Sequence, residues 1–336
     1  MSRFLLSFLC TLTLAVCGFA QTLVNGAGAT FPYPLYSKWF DEYHKAHPNV
    51  QINYQSIGSG GGIRQLEAGT VDFGASDQPM TDDQLKKHNG RVLHFPTVLG
   101  AVVATYNVPG VAGDLSFTPE ALAGIFLGRV TSWNDPLIAK ANPGVKLPSA
   151  AIVVVHRSDG SGTTFIWTDY LSKVSPDWKS KVGSGTSVSW PTGLGAKGNE
   201  GVAGLVKQTP NSVGYVELIY AIQNKMTYGR VKNAAGAFVK PSLESVTAAA
   251  AGNAAKIPED FRVSITDAPG KQAYPVASFT WLLVPDRIAD AGKKTAIVEF
   301  LRWMLGPGQK STAALFYAPL PQAVVAKELK AISLIH

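Results

Sequence analysis

One stretch in the middle of the chain reads Arg157-Ser158-Asp159-Gly160-Ser161-Gly162-Thr163. It follows an apolar run at positions 151–155. After it, apolar residues recur with the period of a helix, at Ile166, Trp167, Tyr170, Leu171 and Val174. The stretch is therefore predicted to lead from a buried strand into a helix, and the unpaired N–H groups at such a helix start favour anions.

The side chains of this loop also suit an anion. Ser161 and Thr163 supply hydroxyl donors, and Arg157 supplies a planar fork of donors that can bind an oxyanion through two bonds. Asp159 should repel an anion, unless it orients Arg157 or accepts a proton that the ligand carries. Considered alone, the loop is equally consistent with a surface turn that caps a helix.

Two earlier loops have the same arrangement. The first contains Gly26-Ala27-Gly28-Ala29-Thr30-Phe31, between an apolar pair at 23–24 and an amphipathic helical pattern. The second contains Gly58-Ser59-Gly60-Gly61-Gly62, between an alternating strand pattern at 50–54 and a short helix. Because ligands bind at the carboxyl ends of strands in open α/β sheets, the three loops are predicted to converge on one small anion.

Asp77 is a fourth candidate contact. It ends the stretch 70–77, which has the pattern of a short strand followed by small residues. An aspartate shortly before Pro79 is also typical of a turn or an N-cap, and this second interpretation is favoured if the three loops are disregarded.

The chain is long enough for two domains, with 336 residues of which 46% are hydrophobic. Strand–helix patterns occur before, between and after two extended apolar stretches at 93–106 and 274–284. We therefore expect two α/β lobes joined by two crossing segments. Lobe I is predicted to comprise residues 21–104 and 277–336, and lobe II residues 105–276.

Residues 1–20 have the pattern of a secretory signal peptide, with Arg3, an apolar run at 4–16 and small residues before Gln21. Both cysteines, Cys10 and Cys17, lie within it. Lipid attachment at Cys17 is disfavoured, because Val16 is larger than the residue that usually precedes a lipidated cysteine. No later apolar run reaches the length of a membrane span. We expect a soluble, exported protein without thiols.

Several classes of function are disfavoured. The formal charge is +7, but the basic residues are dispersed, which argues against nucleic-acid binding. No serine lies in a Gly-x-Ser-x-Gly motif, and no His-Glu-x-x-His pair occurs. His44 and His47 lie three positions apart on a polar helix face, where solvation is more common than metal binding. We therefore expect no catalytic residue, no metal and no cofactor.

Five motifs together resemble one family. They are Gly26-Ala27-Gly28-Ala29-Thr30-Phe31-Pro32, Gly58-Ser59-Gly60-Gly61-Gly62, Val71-Asp72-Phe73-Gly74-Ala75-Ser76-Asp77, Arg157-Ser158-Asp159-Gly160-Ser161-Gly162-Thr163 and Trp190-Pro191-Thr192-Gly193-Leu194-Gly195. This set is similar to the periplasmic phosphate-binding receptors of bacterial phosphate ABC transporters. The resemblance implies a two-lobe, type II-like periplasmic binding fold, with inorganic phosphate in the inter-lobe cleft. It also implies a monomer that delivers phosphate to membrane permease subunits for import.

The resemblance also implies a set of phosphate contacts. Carried over motif by motif, these contacts are Thr30, Phe31 through its backbone, Ser59, Asp77, Arg157, Ser161, Gly162 and Thr163. Asp159 occupies the position at which the family pairs a carboxylate with the arginine. One departure is Gly60, where many relatives carry a second serine. The alternatives are an exported phosphatase and a receptor for another tetrahedral oxyanion, sulfate or molybdate.

Overall fold

The computed structural model describes residues 21–88, 91–253 and 256–336. The predicted signal peptide at 1–20, with Cys10 and Cys17, lies outside the described residues. Across the described ranges, none of the helices combines the length and the apolar character needed to cross a bilayer.

The strands and helices alternate along much of the chain. The strands are β1 (Thr22–Gly28), β2 (Val50–Ser56), β3 (Phe73–Ser76), β4 (Val92–Asn107), β5 (Ser116–Phe117), β6 (Val153–Arg157), β7 (Leu194–Ala196), β8 (Ser212–Glu217), β9 (Thr227–Tyr228), β10 (Arg230–Lys232), β11 (Phe238–Val239) and β12 (Ala277–Pro285). The helices are α1 (Tyr33–Ala46), α2 (Ser59–Glu67), α3 (Asp82–Lys87), α4 (Pro119–Phe126), α5 (Pro136–Ala139), α6 (Gly162–Val174), α7 (Pro176–Lys181), α8 (Gly198–Gln208), α9 (Leu218–Gln223), α10 (Leu243–Ala251), α11 (Ala291–Leu305) and α12 (Gln322–Ala331).

The three predicted strand–loop–helix units are confirmed as β1–α1, β2–α2 and β6–α6. The second differs in detail from the loop expected at 58–62, because α2 already begins at Ser59 and its glycines form the first helical turn. Gly62 lies against the backbone of β1. A Cβ atom at this position would lie 2.4 Å from the carbonyl oxygen of Ala27, so glycine allows α2 to pack closely on β1.

The main sheet consists of two parallel halves joined by antiparallel strands. Its order is β2-β1-β3-β12-β4-β8-β6-β7, with β9 also paired to β4. We call β2-β1-β3 the first half-sheet and β8-β6-β7 the second half-sheet. Within each half the strands are parallel, whereas β12 is antiparallel to β3 and β4, and β4 is antiparallel to β8. A small separate sheet has the order β11-β10-β5.

Strand β4 passes from one half-sheet to the other. Its residues up to Ala101 pair with β12, and from Val102 onward they pair with β8. Every residue of β4 except Asn107 is buried, as is every residue of β12 except Pro285. This burial explains the mostly apolar pattern of both predicted crossing stretches, since a strand covered on both faces favours apolar residues on both sides. The few buried polar residues in these strands include Thr280 on β12.

Each half-sheet has an aromatic cluster of its own. The cluster beside the first half-sheet joins α1, β2 and α11, and contains Tyr36, Phe40, Tyr43, Tyr54 and Phe300. The cluster beside the second half-sheet joins α4, α6 and β8, and contains Phe126, Trp167, Trp190 and Tyr215. Large aromatic side chains contribute much of the buried apolar area, so each half-sheet packs on an aromatic cluster of its own within one continuous core.

Candidate functional site

The candidate site lies at the carboxyl ends of four strands. Thr30 and Phe31 follow β1, Ser59 follows β2 as the first residue of α2, and Asp77 directly follows β3. The loop after β6 enters α6 at Gly162. The first three strands belong to the first half-sheet and β6 to the second, so the site is shared between the two halves.

Direct hydrogen bonds bring the loops of the two halves together. The Oγ of Ser59 accepts from the backbone N–H of Gly162 at 3.0 Å and from that of Asp77 at 3.2 Å. The N–H of Gly60 donates to the carbonyl oxygen of Gly160 at 2.9 Å. A Cβ at Gly60 would lie 3.1 Å from the Cα of Gly160. The missing side chain at Gly60 thus lets the two backbones approach.

Arg157 is buried, with 3% of its surface exposed, and its guanidinium is held by Asp159. Its Nε donates to one carboxylate oxygen at 2.7 Å and its Nη2 to the other at 2.5 Å. The backbone N–H of Gly198 adds a third bond to Asp159 at 3.1 Å. Burial raises the pKa of Asp159, but its bonds to Arg157 and the charge of Arg157 outweigh burial and leave this pKa below its ordinary value.

The start of α6 presents hydroxyl groups beside this guanidinium. Ser161 is the N-cap, and its Oγ accepts from the N–H of Thr164 at 3.0 Å. The Oγ1 of Thr163 accepts from Asn199 Nδ2 at 3.0 Å and lies 3.5 Å from Arg157 Nη1. A hydroxyl that accepts a bond keeps its own hydrogen as a donor. Both side chains can therefore donate to an anion next to the helix start.

Thr30 and Phe31 complete this side of the site. Both are buried, and the Oγ1 of Thr30 accepts from Asn199 Nδ2 at 2.8 Å. The hydroxyl hydrogen of Thr30 remains available for an acceptor. Phe31 packs against Tyr317 with ring centroids 6.2 Å apart, so its ring belongs to the core and only its backbone can serve a ligand.

Asn199 is a site residue that the sequence analysis missed. It is the second residue of α8 and is fully buried. Its amide nitrogen donates to Thr30 beside the first half-sheet and to Thr163 beside the second. The side-chain oxygen of Asn199, Oδ1, accepts from the backbone N–H of Glu217 at 2.8 Å, which fixes the orientation of the side-chain amide. The sequence feature that could have indicated Asn199 is its position, because it is an amide at the end of the glycine-rich stretch 190–198.

Asp77 is a buried carboxyl group with one oxygen held and one free. Its Oδ1 accepts from the Oγ1 of Thr280 at 2.8 Å, a second partner that the sequence analysis missed. Its Oδ2 is buried and has no hydrogen-bond partner among the described residues. Burial raises the pKa of Asp77 to about 7, although the bond from Thr280 and the charge of Arg157 act in the opposite direction.

The arrangement can bind a tetrahedral oxyanion that carries a proton. Hydroxyl groups, backbone N–H groups and the Arg157 guanidinium can donate to its oxygens, and the free oxygen of Asp77 can accept from its O–H.

The histidine next to Arg157, His156, stacks on Trp190 with ring centroids 4.8 Å apart. In the described ranges, no cluster of three or more histidine, aspartate or glutamate side chains is arranged to hold a metal.

Comparisons with known proteins agree with this architecture. A family profile described as PBP superfamily domain matches residues 18–307. A phosphate-binding protein PstS from Xylella fastidiosa (strain Temecula1) is 49% identical, and the alignment covers 92% of this chain and 84% of the relative. A phosphate-binding protein PstS from Pasteurella multocida is 48% identical, and the alignment covers 94% of this chain and 91% of the relative.

Solved structures show the same fold. A phosphate-binding protein from Stenotrophomonas maltophilia superposes with a TM-score of 0.70 at 22% identity, over 92% of this chain and 93% of that one. A high-affinity periplasmic phosphate-binding protein, PfluDING, superposes with a TM-score of 0.70 at 23% identity, over 91% of this chain and 92% of that one. The predicted α/β, two-lobe periplasmic binding fold with two crossing segments is confirmed. On the family profile and the sequence relatives, the chain belongs to the PBP superfamily and, within it, to the PstS phosphate-binding proteins.

Proposed function

We propose that this protein is a non-catalytic receptor that binds inorganic phosphate in the periplasm and delivers it to the permease of an ABC transporter. The observation that carries the proposal is the free Oδ2 of Asp77, a buried acceptor beside hydroxyl, N–H and guanidinium donors. A protonated oxyanion supplies the missing donor, whereas a fully deprotonated one does not. The names of the sequence relatives, phosphate-binding protein PstS, support the same ligand.

The proposed phosphate contacts are the residues that the three loops and β3 carry into the site. They are Thr30, the backbone of Phe31, Ser59, Asp77, Arg157, Ser161, Gly162 and Thr163. Asp159 orients Arg157 through two bonds and does not itself contact the ligand. We add Asn199 as the residue that holds the hydroxyl groups of Thr30 and Thr163 in place.

The proposed lobes are residues 21–104 with 277–336, and residues 105–276. The change of β4 partners between Ala101 and Val102 supports a first boundary close to residue 104. The pairing of Ala277 with Ala101 supports a second boundary close to residue 277. We further propose that residues 1–20 are a cleaved signal peptide and that the receptor acts as a monomer.

Calorimetric titration tests the ligand. We expect saturable binding of phosphate and much weaker binding of sulfate and of molybdate. A protein that binds sulfate or molybdate more tightly than phosphate would be a receptor for that anion. Steady hydrolysis of a generic phosphoester by the purified protein, lost in Arg157→Ala, would support the phosphatase alternative and contradict a receptor.

Phosphate is also expected to compact the protein. The bonds of Ser59 to Gly162 and of Gly60 to Gly160 cross between the proposed lobes, so the structure represents a closed arrangement. A ligand that contacts both lobes favours the closed state over more open ones. Small-angle scattering should show a smaller radius of gyration with saturating phosphate than without it. Calorimetry on the same sample must first confirm that it binds phosphate. Equal radii of gyration with and without phosphate would then contradict closure on binding.

A further inference from the structure

Three consecutive backbone carbonyls in the loop after β1 are each held by a tyrosine hydroxyl. Tyr54 donates to the carbonyl oxygen of Ala29 at 2.8 Å. The next two bonds are shorter. Tyr220 donates to the carbonyl oxygen of Thr30 at 2.5 Å, and Tyr317 donates to that of Phe31 at 2.6 Å.

These bonds determine where the loop points its N–H groups. A peptide unit is planar and trans, so its N–H points away from its carbonyl oxygen. Tyr54 on the carbonyl of Ala29 therefore sets the direction of the N–H of Thr30. The carbonyl of Thr30 accepts from Tyr220 and, in a longer bond of 3.3 Å, from the backbone N–H of Tyr33, and these two bonds set the direction of the N–H of Phe31. Tyr54 and Tyr220 thus position backbone donors of the site without being ligand contacts themselves. Tyr317 fixes the end of the loop, because the next residue, Pro32, has no N–H.

The three tyrosines differ in the half of the molecule from which they come. Tyr54 lies on β2, in the same half-sheet as the loop. Tyr317 follows α11, and its neighbour Ala318 bridges to Leu99 in the part of β4 that pairs with β12. Tyr220 lies on α9, directly after β8 of the second half-sheet. Its bond to Thr30 therefore crosses between the halves.

A second crossing contact acts on the same residue. Asn199, also from the second half, donates to the Oγ1 of Thr30 at 2.8 Å and to Thr163 at 3.0 Å. Thr30 is thus held from the opposite half at two atoms, its carbonyl oxygen by Tyr220 and its hydroxyl oxygen by Asn199. Thr30, Asn199 and Tyr220 are all buried, where a lost hydrogen bond costs more than at the surface.

We propose that Tyr220 and Asn199 form a latch on Thr30, which forms as the lobes close and slows the release of the anion. The latch rests on the proposed function as a phosphate receptor. The latch couples closure of the lobes to the orientation of two donors in the site. The groups that hold the lobes together also orient the N–H of Phe31 and the hydroxyl of Thr30. Opening the cleft thus removes the two bonds from the second half that hold these donors in their binding geometry.

The test compares two matched removals of a single hydroxyl. Tyr220→Phe deletes the donor that crosses between the halves, whereas Tyr54→Phe deletes the donor to the adjacent carbonyl from within the same half. We expect Tyr220→Phe to raise the phosphate dissociation rate about threefold to tenfold, in line with the loss of one buried hydrogen bond. The closed molecules in the phosphate-free equilibrium lose the latch as well, so Tyr220→Phe should increase the average radius of gyration of the phosphate-free protein. Tyr54→Phe should leave that radius unchanged, even if it lowers affinity.

Stopped-flow release measurements and small-angle scattering on wild type and both variants decide the outcome. Equal radii for the three phosphate-free proteins, together with equal effects of the two variants on release, would overturn the latch. If wild type binds no phosphate in calorimetry, the proposed function fails. The latch is then judged by scattering alone, and a Tyr220→Phe radius equal to that of wild type would refute it.

Discussion

Replacing Arg157 with alanine is expected to lower the affinity for phosphate at least tenfold. The guanidinium is buried and held at two nitrogens by Asp159, so it is preorganised for charge-assisted bonds of about 1.5 to 3 kcal/mol each. The alanine variant also leaves the carboxylate of Asp159 without its cation beside an anion. Arg157→Lys should weaken binding as well, because an ammonium group does not reproduce the planar fork.

A matched control distinguishes the loss of a group in the binding site from the loss of one positive charge on the protein. Arg129 pairs with Asp177 at 2.5 Å at the surface, with about half of each side chain exposed. Arg129→Ala removes the same formal charge and should leave phosphate affinity unchanged, since exposed ion pairs contribute little. Calorimetry on the three variants provides the measurement. Equal affinities for Arg157→Ala and wild type would exclude Arg157 from the binding site.

Replacing Asp77 with asparagine is expected to narrow the gap between phosphate and sulfate affinity more than it changes phosphate affinity. Near neutral pH phosphate retains a proton that the free Oδ2 can accept, whereas sulfate would place its oxygens against that carboxylate oxygen. Two like charges about 4 Å apart repel by about 4 kcal/mol at an effective dielectric constant of 20. An amide at this position both donates and accepts, so it should tolerate either anion.

The control for this variant is Asp83→Asn on α3, which removes an equal charge from an exposed carboxylate. Phosphate and sulfate titrations on wild type, Asp77→Asn and Asp83→Asn give three affinity ratios. We expect only the Asp77→Asn ratio to fall. A ratio equal to that of wild type would make Asp77 a turn residue and refute its role in selectivity.

The same carboxyl group predicts a pH dependence. Burial raises the pKa of Asp77 to about 7, so the folded protein holds this proton more tightly than the unfolded chain does. The stability that comes from holding it is present at low pH and is lost as the pH rises through about 7. Below this pH the protonated group can donate to sulfate. The phosphate-to-sulfate affinity ratio of wild type should therefore fall as the medium is acidified, whereas that of Asp77→Asn should change less.

Much of the fold could be predicted because its signals are local. The apolar periods around 23–40, 50–66 and 151–174 determine three strand–loop–helix units, which the structure contains as β1–α1, β2–α2 and β6–α6. The two long, mostly apolar stretches predicted the buried strands β4 and β12 for the same reason, since burial on both faces favours apolar residues at most positions. The exact start of α2 was less accessible, because glycines are typical of both loops and tight helix packing.

The candidate site also contains residues that local sequence patterns predict and residues that they do not. The sequence by itself determined the three loops with their glycine and hydroxyl residues, because within each loop these groups lie a few positions apart. It offered the pairing of Asp159 with Arg157 as one of two alternatives, and the structure contains that pair. Only the tertiary structure decided which distant groups join them. Thr280 reaches Asp77 across 203 positions, Tyr220 reaches Thr30 across 190, and Asn199 reaches Thr30 across 169. These contacts depend on the order of strands in the sheet, which places β12 beside β3 and the second half-sheet opposite the first. Strand order is set by packing of the whole chain, so no local pattern at these three residues records it.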